Sequence, residues 1–236
     1  SVRAVAGRLR DEKIESVAVC FLHAYRNGAH EKRVREILNE ECPGLFVSLS
    51  HEVCPEIREY ERTSTTVANA YVQPLMSTYL GKLSGALKEL GVGAPLLMIM
   101  SSGSLTSVET ARRLPIRLVE SGPAGGAILA REVAKEIGAD RSVALDMGGT
   151  TAKIIMLTDY EPRHARSMEV ARAYRFLAGS GLPLRIPVIE MIEIGAGGGS
   201  IAHVDELGRI AVGPESAGSV PGEQGNARVR GHHGKN

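Results

Sequence analysis

The chain has 236 residues with 43% hydrophobic and 23% charged content, an ordinary balance for globular protein that leaves enough apolar side chain for a sizeable core. Its 28 Lys plus Arg against 27 Asp plus Glu leave no surplus of either sign, so charge does not argue for nucleic acid, an anionic membrane or an acidic ligand field. The longest apolar run, Ala94 to Met100, falls far short of the roughly 20 residues a membrane-crossing helix needs, and no basic-then-apolar leader opens the chain.

Val2, Val5, Ala6 and Leu9 recur at helical spacing and lead into the Val-rich run Ser16 to Leu22, read as a buried strand. Asn27 can cap a second helix from about Ala29 to Glu41, with Val34, Ile37 and Leu38 on one face, and Pro43-Gly44 stops it. Leu45 to Ser50 resumes strand character, so the strand-helix-strand order predicts parallel pairing and an α/β class. Ile57 to Leu90 is a long helical stretch, expected as two segments because Pro74 lacks an amide donor and suits the first turn of a helix. Tyr60, Tyr71 and Tyr79 are expected to be packing residues.

Ala94 to Ser101 reads as a strand, Ser107 to Arg113 as a short helix, and Ile116 to Val119 as a short strand before a Ser121-Gly122-Pro123 break. A helix is expected over Ala124 to Ile137. Ser142 to Leu145 then makes a strand ending on Asp146, and Lys153 to Leu157 a second one. Residues 158 to 185 are polar and basic and are expected as loops or a small hairpin subdomain over the site. A second glycine turn, Gly195 to Ser200, follows the apolar stretch Ile186 to Ile194, and the runs 201 to 204 and 209 to 212 predict a hairpin. Apolar periodicity stops at Gly213, and Gly222 to Asn236 is expected to be disordered.

Cys20, Cys42 and Cys54 are odd in number and widely spaced, which fits reduced thiols in a cytoplasmic protein better than a disulfide framework or a zinc site. The absence of an initiating Met and the mid-helix opening lead us to expect a native polypeptide that begins further upstream.

Chemistry concentrates in Asp146-Met147-Gly148-Gly149-Thr150-Thr151, where a carboxylate at a strand end precedes two residues without side chains and two hydroxyls. Gly148 and Gly149 would let backbone amides approach phosphate oxygens without a Cβ in the way. Thr150 and Thr151 would add hydroxyl donors, and Asp146 would hold water on a magnesium ion. The competing reading is a type I′ or II′ turn that only joins two strands. A D-x-G-G-T match arises by chance in such a chain with a probability on the order of one per cent, and its strand-turn-strand setting favours phosphate. No Walker loop or strand-to-helix dinucleotide fingerprint is present. Gly197, Gly198, Gly199 and Ser200 admit both a turn-forming role and a ligand contact. Arg58, Glu59, Glu61 and Arg62 form a mixed charge run read as a solvated face. His23, His30, His51 and His164 stand alone in sequence, and His232-His233 lacks accompanying ligands, so the residues name no general base and no metal cluster.

Glu120-Ser121-Gly122-Pro123-Ala124-Gly125-Gly126 followed by Ala144 to Thr151 resembles the connect and second phosphate motifs of the actin-like ATPase superfamily. Within it, the chain is similar to the hydantoinase A and 5-oxoprolinase family. Supporting stretches are His51 to Thr65, Asn69-Ala70-Tyr71, Ile194 to Ile201 and Val212 to Gly218, and the resemblance runs over roughly residues 1 to 222. It implies an incomplete actin-like (ribonuclease H-like) α/β fold with a mixed sheet and flanking helices. Residues 1–62 would close the family's N-terminal region, 63–222 would begin its hydantoinase A region, and 223–236 would be a disordered or frame-shifted tail.

The family resemblance further implies ATP and Mg2+ as cofactors, a small cyclic amide as substrate and a hydantoinase B-type partner subunit or domain. The γ-phosphoryl activates the ring carbonyl before water cleaves the C–N bond. Asp146 would be the magnesium-side carboxylate, and Gly148, Gly149, Thr150 and Thr151 would hold phosphate oxygens. Related members carboxylate acetone or acetophenone instead. The family's N-terminal D-x-G-G-T hairpin and late adenosine-binding segment are both missing from these residues. Only one jaw of the nucleotide clamp is therefore expected, and the isolated chain should lack useful ATP affinity. A truncated product with no activity of its own is the other expectation. Where the family continues P-G-P-A-C-Y-G, the chain reads Pro221-Gly222-Glu223-Gln224-Gly225-Asn226, which suggests a change of reading frame near Gly222.

Overall fold

An apolar stripe on the first helix, α1 (Val2–Asp11), starts the chain, with Ala6 fully buried and Val2 and Leu9 packed beside it, although Val5 stays 52% exposed. This computed structural model describes residues 1–174, 177, 179–205 and 207–218. The expectations for Gly222 to Asn236 and for His232-His233 lie outside the described residues. The chain divides into two compact units, Ser1–Ala124 with His164–Ile189, and Gly125–Arg163 with the chain from Glu190 onward.

In the first unit, β1 (Ser16–Val19), α2 (Ala29–Glu41) and β2 (Phe46–Leu49) form the expected strand-helix-strand, with β1 parallel to β2 and Val19 opposite Leu49. Ala6, Val19, Leu38, Cys42 and Leu49 make one buried cluster. Asn27 caps α2 one position early, its Oδ1 accepting from the Ala29 amide at 3.0 Å, while Gly28 occupies the cap position itself.

After α3 (Ser50–Val53) comes α4 (Glu59–Glu89), a single helix of 31 residues that carries Pro74 inside it, so the expected two segments are one. Proline costs the helix one amide bond, but the turn before it is pinned by a buried polar network. Asn69 Nδ2 donates to Ser48 Oγ (2.9 Å) and to the Arg113 carbonyl (3.1 Å), and its Oδ1 accepts from the Ile116 amide (3.2 Å). Ser48 Oγ donates to Gln73 Oε1 at 3.0 Å, and Gln73 Nε2 donates to the same Arg113 carbonyl at 3.3 Å. The buried face of α4 is thus largely polar. Tyr60, Tyr71 and Tyr79 are 66%, 84% and 55% exposed, which corrects the expectation that they pack.

β3 (Leu97–Ile99) and β4 (Leu105–Ser107) pair as a hairpin, and α5 (Val108–Arg113) is capped by Ser107, whose Oγ accepts from the Thr110 amide. The strand expected at Ile116 to Val119 is instead a 3-10 helix, Pro115–Leu118. Pro115 fixes φ at its start, and the Ile116 amide is taken by Asn69 rather than by a neighbouring strand. α6 (Ser121–Ile137) begins within the expected break. Gly122 and Pro123 fit its first turn, where amides have no intrahelical partner, and the chain turns one residue earlier, at Glu120, with φ +57.

The second unit holds β5 (Arg141–Met147), β6 (Ala152–Thr158) and β7 (Glu161–Pro162), antiparallel in chain order. β8 (His164–Ala165), β9 (Met168–Val170), β10 (Leu182–Leu184) and β11 (Val188–Ile189) return to the first unit, where β9 pairs with β10 and β8 with β11. β8, β9 and β10 fall within the stretch read as loops or a hairpin subdomain, and β11 lies just beyond it. Leu184, Ile186 and Val188 complete a cluster with Val53, Leu114 and Ile116. In the second unit, β12 (Ile192–Ile194) pairs with β6, and β13 (Ser200–Val204) pairs with β14 (Ile210–Ser216) as the expected hairpin. Among the described residues, parallel pairing is confined to β1 and β2, and the sheet carrying Asp146 is antiparallel.

Candidate functional site

The Asp146 to Thr151 segment is the tip of the β5–β6 hairpin, with Asp146 opposite Lys153 and Met147 opposite Ala152. The Gly148 amide donates to the Thr151 carbonyl at 2.9 Å and closes the tip around Gly149 and Thr150. Neither Gly148 nor Gly149 has positive φ. Type I′ and II′ turns both require positive φ at their first central residue, so the plain-turn reading in that form fails. The tip is open: Asp146, Gly148 and Thr150 are exposed, and Gly149 and Thr151 are half-buried.

The protein's own packing does not require glycine at 148. A Cβ built there would meet its nearest heavy atom, the Thr151 carbonyl oxygen, only at 3.8 Å. Among the described residues, the amides of Gly149, Thr150 and Thr151 and the hydroxyls of Thr150 and Thr151 have no hydrogen-bond partner. Three free amides and two free hydroxyls on an exposed tip suit an anion with several acceptor oxygens.

The second glycine turn does something the sequence did not disclose. The Gly198 amide donates to the Gly148 carbonyl (2.9 Å) and the Gly199 amide to the Gly149 carbonyl (2.8 Å). The Gly197 amide donates to Ser200 Oγ (3.0 Å), and the Ser200 amide returns to the Gly197 carbonyl (2.9 Å). The amides of Gly197, Gly198, Gly199 and Ser200 are therefore engaged inside the protein, which supports the turn-forming side of their reading. A Cβ on Gly197 would lie 2.5 Å from the Gly148 carbonyl oxygen and 2.8 Å from the Thr150 nitrogen, and one on Gly199 would lie 2.7 Å from the Gly149 carbonyl oxygen. These glycines let one backbone lie against another and brace the Asp146 hairpin from behind. The brace continues outward, since the Ala217 amide (2.7 Å) and Ser216 Oγ (3.1 Å) both donate to the Gly199 carbonyl.

Charge on this sheet alternates across three strands. Asp146 opposes Lys153 and Lys153 opposes Glu193, and directly opposed residues share one face of a sheet. Lys153 Nζ lies 3.5 Å from Glu193 Oε1. No group of three or more His, Cys, Asp or Glu side chains gathers as a metal site among the described residues. Asp146 can hold a divalent ion through water, as one acidic contact, with the remaining oxygens supplied from outside the protein.

The first unit contains a charged cluster that lone-residue reasoning missed. Glu31 is fully buried and accepts from the Phe21 amide (2.9 Å), Ser50 Oγ (2.6 Å), the His51 amide (3.0 Å) and His51 Nδ1 (2.7 Å). Burial alone would push its carboxyl up, but the hydrogen bonds from Ser50 and His51, with that from Phe21, outweigh burial and hold it below its ordinary value. Arg35 grips Glu52 through two bonds of 2.8 and 2.9 Å beside it. Arg62, read as part of a solvated face, is 1% exposed, donates to the Glu56 and Phe21 carbonyls, and lies 5.6 Å over the Tyr25 ring. His51 was legible only as a solitary histidine, because Glu31 lies 20 residues away in sequence.

Comparisons with known proteins agree on one family. The hydantoinase/oxoprolinase family matches residues 62–229, and its N-terminal region matches residues 1–42. An uncharacterized protein of Methanocaldococcus jannaschii is 41% identical over 224 residues, covering 94% of this chain and 33% of that one. Caprolactamase subunit alpha of Pseudomonas jessenii is 36% identical over 222 residues, 94% of this chain and 31% of its own length. The nucleotide-free structure of acetone carboxylase superposes with a TM-score of 0.71 at 29% identity, over 92% of this chain and 30% of that chain. The chain thus spans about a third of the length of the curated relatives it matches. No helix among the described residues is long and apolar enough to cross a membrane.

Proposed function

Because this chain belongs to the hydantoinase/oxoprolinase family, we propose that it is the nucleotide-facing part of an enzyme that opens a cyclic amide at the expense of ATP. The observation that carries this reading is the open β5–β6 tip, with its uncommitted amides at Gly149, Thr150 and Thr151 and a glycine at 148 that the protein's own packing does not require. In this reading the tip amides and the hydroxyls of Thr150 and Thr151 hold phosphate oxygens and neutralise charge as it moves to the leaving group. Asp146 would hold water on a magnesium ion, and that ion, when bound, would supply positive charge to the phosphates. The ring carbonyl oxygen takes the γ-phosphoryl group and ADP leaves. Water then adds to the activated carbon, the C–N bond breaks, and phosphate departs with the open-chain amino acid.

Catalysis of this kind needs a surface facing the hairpin and a site for adenosine. We propose that the remaining two thirds of the family's length, together with a partner subunit, supply them. Caprolactamase subunit alpha carries the subunit description in its name, which supports such an assembly. A second reading has a specific support of its own: the structural likeness to acetone carboxylase makes carboxylation of a ketone the alternative reaction.

The test gives the full-length protein and its partner MgATP with caprolactam, hydantoin or 5-oxoproline in one series and acetone with bicarbonate in the other. Ring-opened product in step with ADP supports the first reading, carboxylated ketone the second. For the 236-residue chain alone, titration calorimetry with MgATP is expected to give no micromolar binding. Micromolar affinity would refute the claim that one hairpin is insufficient.

A further inference from the structure

We infer that the outer face of α4 is a self-complementary surface on which a second copy of this protein packs antiparallel, with Tyr71 on the two-fold axis. The helix is inside-out. Six of its eight buried residues, Arg62, Thr65, Thr66, Asn69, Gln73 and Ser77, are polar or charged. Tyr60, Val67, Tyr71, Leu75 and Tyr79 are instead 66%, 51%, 84%, 74% and 55% exposed. A helix on a protein surface carries the reverse arrangement. An exposed apolar row bordered by polar side chains and holding three tyrosines has the composition of an interface.

Spacing and charge select the occupant. Val67 and Leu75 stand four residues either side of Tyr71, Ser64 and Thr78 seven, and Tyr60 and Lys82 eleven. Steps of three and four residues along this row keep all seven positions on one helix face. In a two-fold pair each contact occurs twice. Tyr71 of one copy meets Tyr71 of the other, Val67 meets Leu75, and Tyr60 meets Lys82, whose ammonium can lie over the ring. Glu61 adjoins Tyr60 at one end of the row and Lys82 marks the other, and neither is ion-paired within the chain among the described residues. Antiparallel packing brings these opposite charges together, whereas parallel packing would set Glu61 against Glu61 and Lys82 against Lys82. The three rings and two aliphatic side chains offer on the order of 600 Å2 per copy, against about 800 Å2 per partner in a standard interface. Pairing through α4 alone is therefore weak, with a dissociation constant on the order of tens of micromolar.

Sedimentation equilibrium of the 236-residue chain is expected to show monomer at about 1 μM and dimer by about 200 μM. Tyr71→Glu, at an exposed position, sets like charges on the axis and should raise the dissociation constant at least roughly tenfold. Glu61→Lys should weaken pairing, and Glu61→Lys combined with Lys82→Glu should restore it, with thermal melts checking that each variant folds. Oxidative cross-linking in a Cys20→Ser background reads the register. Tyr71→Cys should link to itself, and Val67→Cys should link to Leu75→Cys in a mixture far faster than to itself. A chain that stays monomeric, association that survives Tyr71→Glu, or Val67→Cys that links to itself as readily as to Leu75→Cys would overturn the inference. The full-length protein carrying Tyr71→Cys must form the same symmetric link. Failure to do so would also overturn it, and shielding of that thiol from maleimide would then show that the rest of the polypeptide covers α4.

Discussion

Gly148 and Gly197 are both glycines beside the same hairpin, yet the structure predicts opposite outcomes when each becomes alanine. At Gly148 the added Cβ meets nothing nearer than 3.8 Å, and φ is not positive. Folding stability should then hold or rise by about 0.4–1 kcal/mol through reduced freedom of the unfolded chain. The new methyl group would stand where a phosphate oxygen must approach. Displacing it weakens charge-assisted bonds of about 1.5–3 kcal/mol each, so MgATP affinity of the full-length protein should fall roughly a hundredfold.

At Gly197 the Cβ would sit 2.5 Å from the Gly148 carbonyl oxygen, so the two loops must part. Overpacking of this kind costs about 1–3 kcal/mol. Parting the loops also strains the bonds from Gly198 and Gly199, each worth about 1 kcal/mol net. We expect a loss of roughly 2–4 kcal/mol from these terms together. Urea unfolding of both variants without ligand, together with calorimetric titration of MgATP, separates the cases. A Gly148→Ala variant that loses more than about 1 kcal/mol, beyond the range for a compatible site, or that binds nucleotide normally, would refute the assignment of that glycine to a ligand.

Four further outcomes follow from the first unit. Glu31→Ala strands Ser50, the His51 ring and two amides in a buried site, and should cost about 3–5 kcal/mol by chemical denaturation. Since the folded-state value of Glu31 is lowered, its contribution is present above the ordinary carboxyl range and is lost as pH falls through the lowered value. The wild type should therefore lose stability over that acid range more steeply than Glu31→Gln. Arg58 holds φ +88 at the start of α4 while exposed, so Arg58→Gly should stabilise by roughly 1 kcal/mol in thermal melts; a fall in midpoint would mean the side chain holds the helix start. Burial pushes the Cys54 thiol up, helped by the nearby Glu56 carboxylate, and the residue is 2% exposed. Iodoacetamide at neutral pH should label it, by mass spectrometry, far more slowly than denatured protein.

Several features were legible in the sequence because they are local. The period of Val2 to Leu9, the strand-helix-strand over residues 16 to 50 and the strand-turn-strand around Gly148-Gly149 depend on residues a few positions apart, and each formed as read. What distance along the chain conceals, tertiary structure decided. Pro74 ended no helix because Ser48 and the Arg113 carbonyl hold the preceding turn, and Ile116 joined no strand because Asn69, 47 residues away, took its amide. The Gly198 and Gly199 amides donate to the hairpin carbonyls of Gly148 and Gly149, a contact invisible in the sequence because the two loops meet only after folding. Local pattern thus determined which residues could present bare amides. Long-range hydrogen bonding decided which of those amides stay free, because a buried or apposed donor takes a partner wherever the fold brings one within reach.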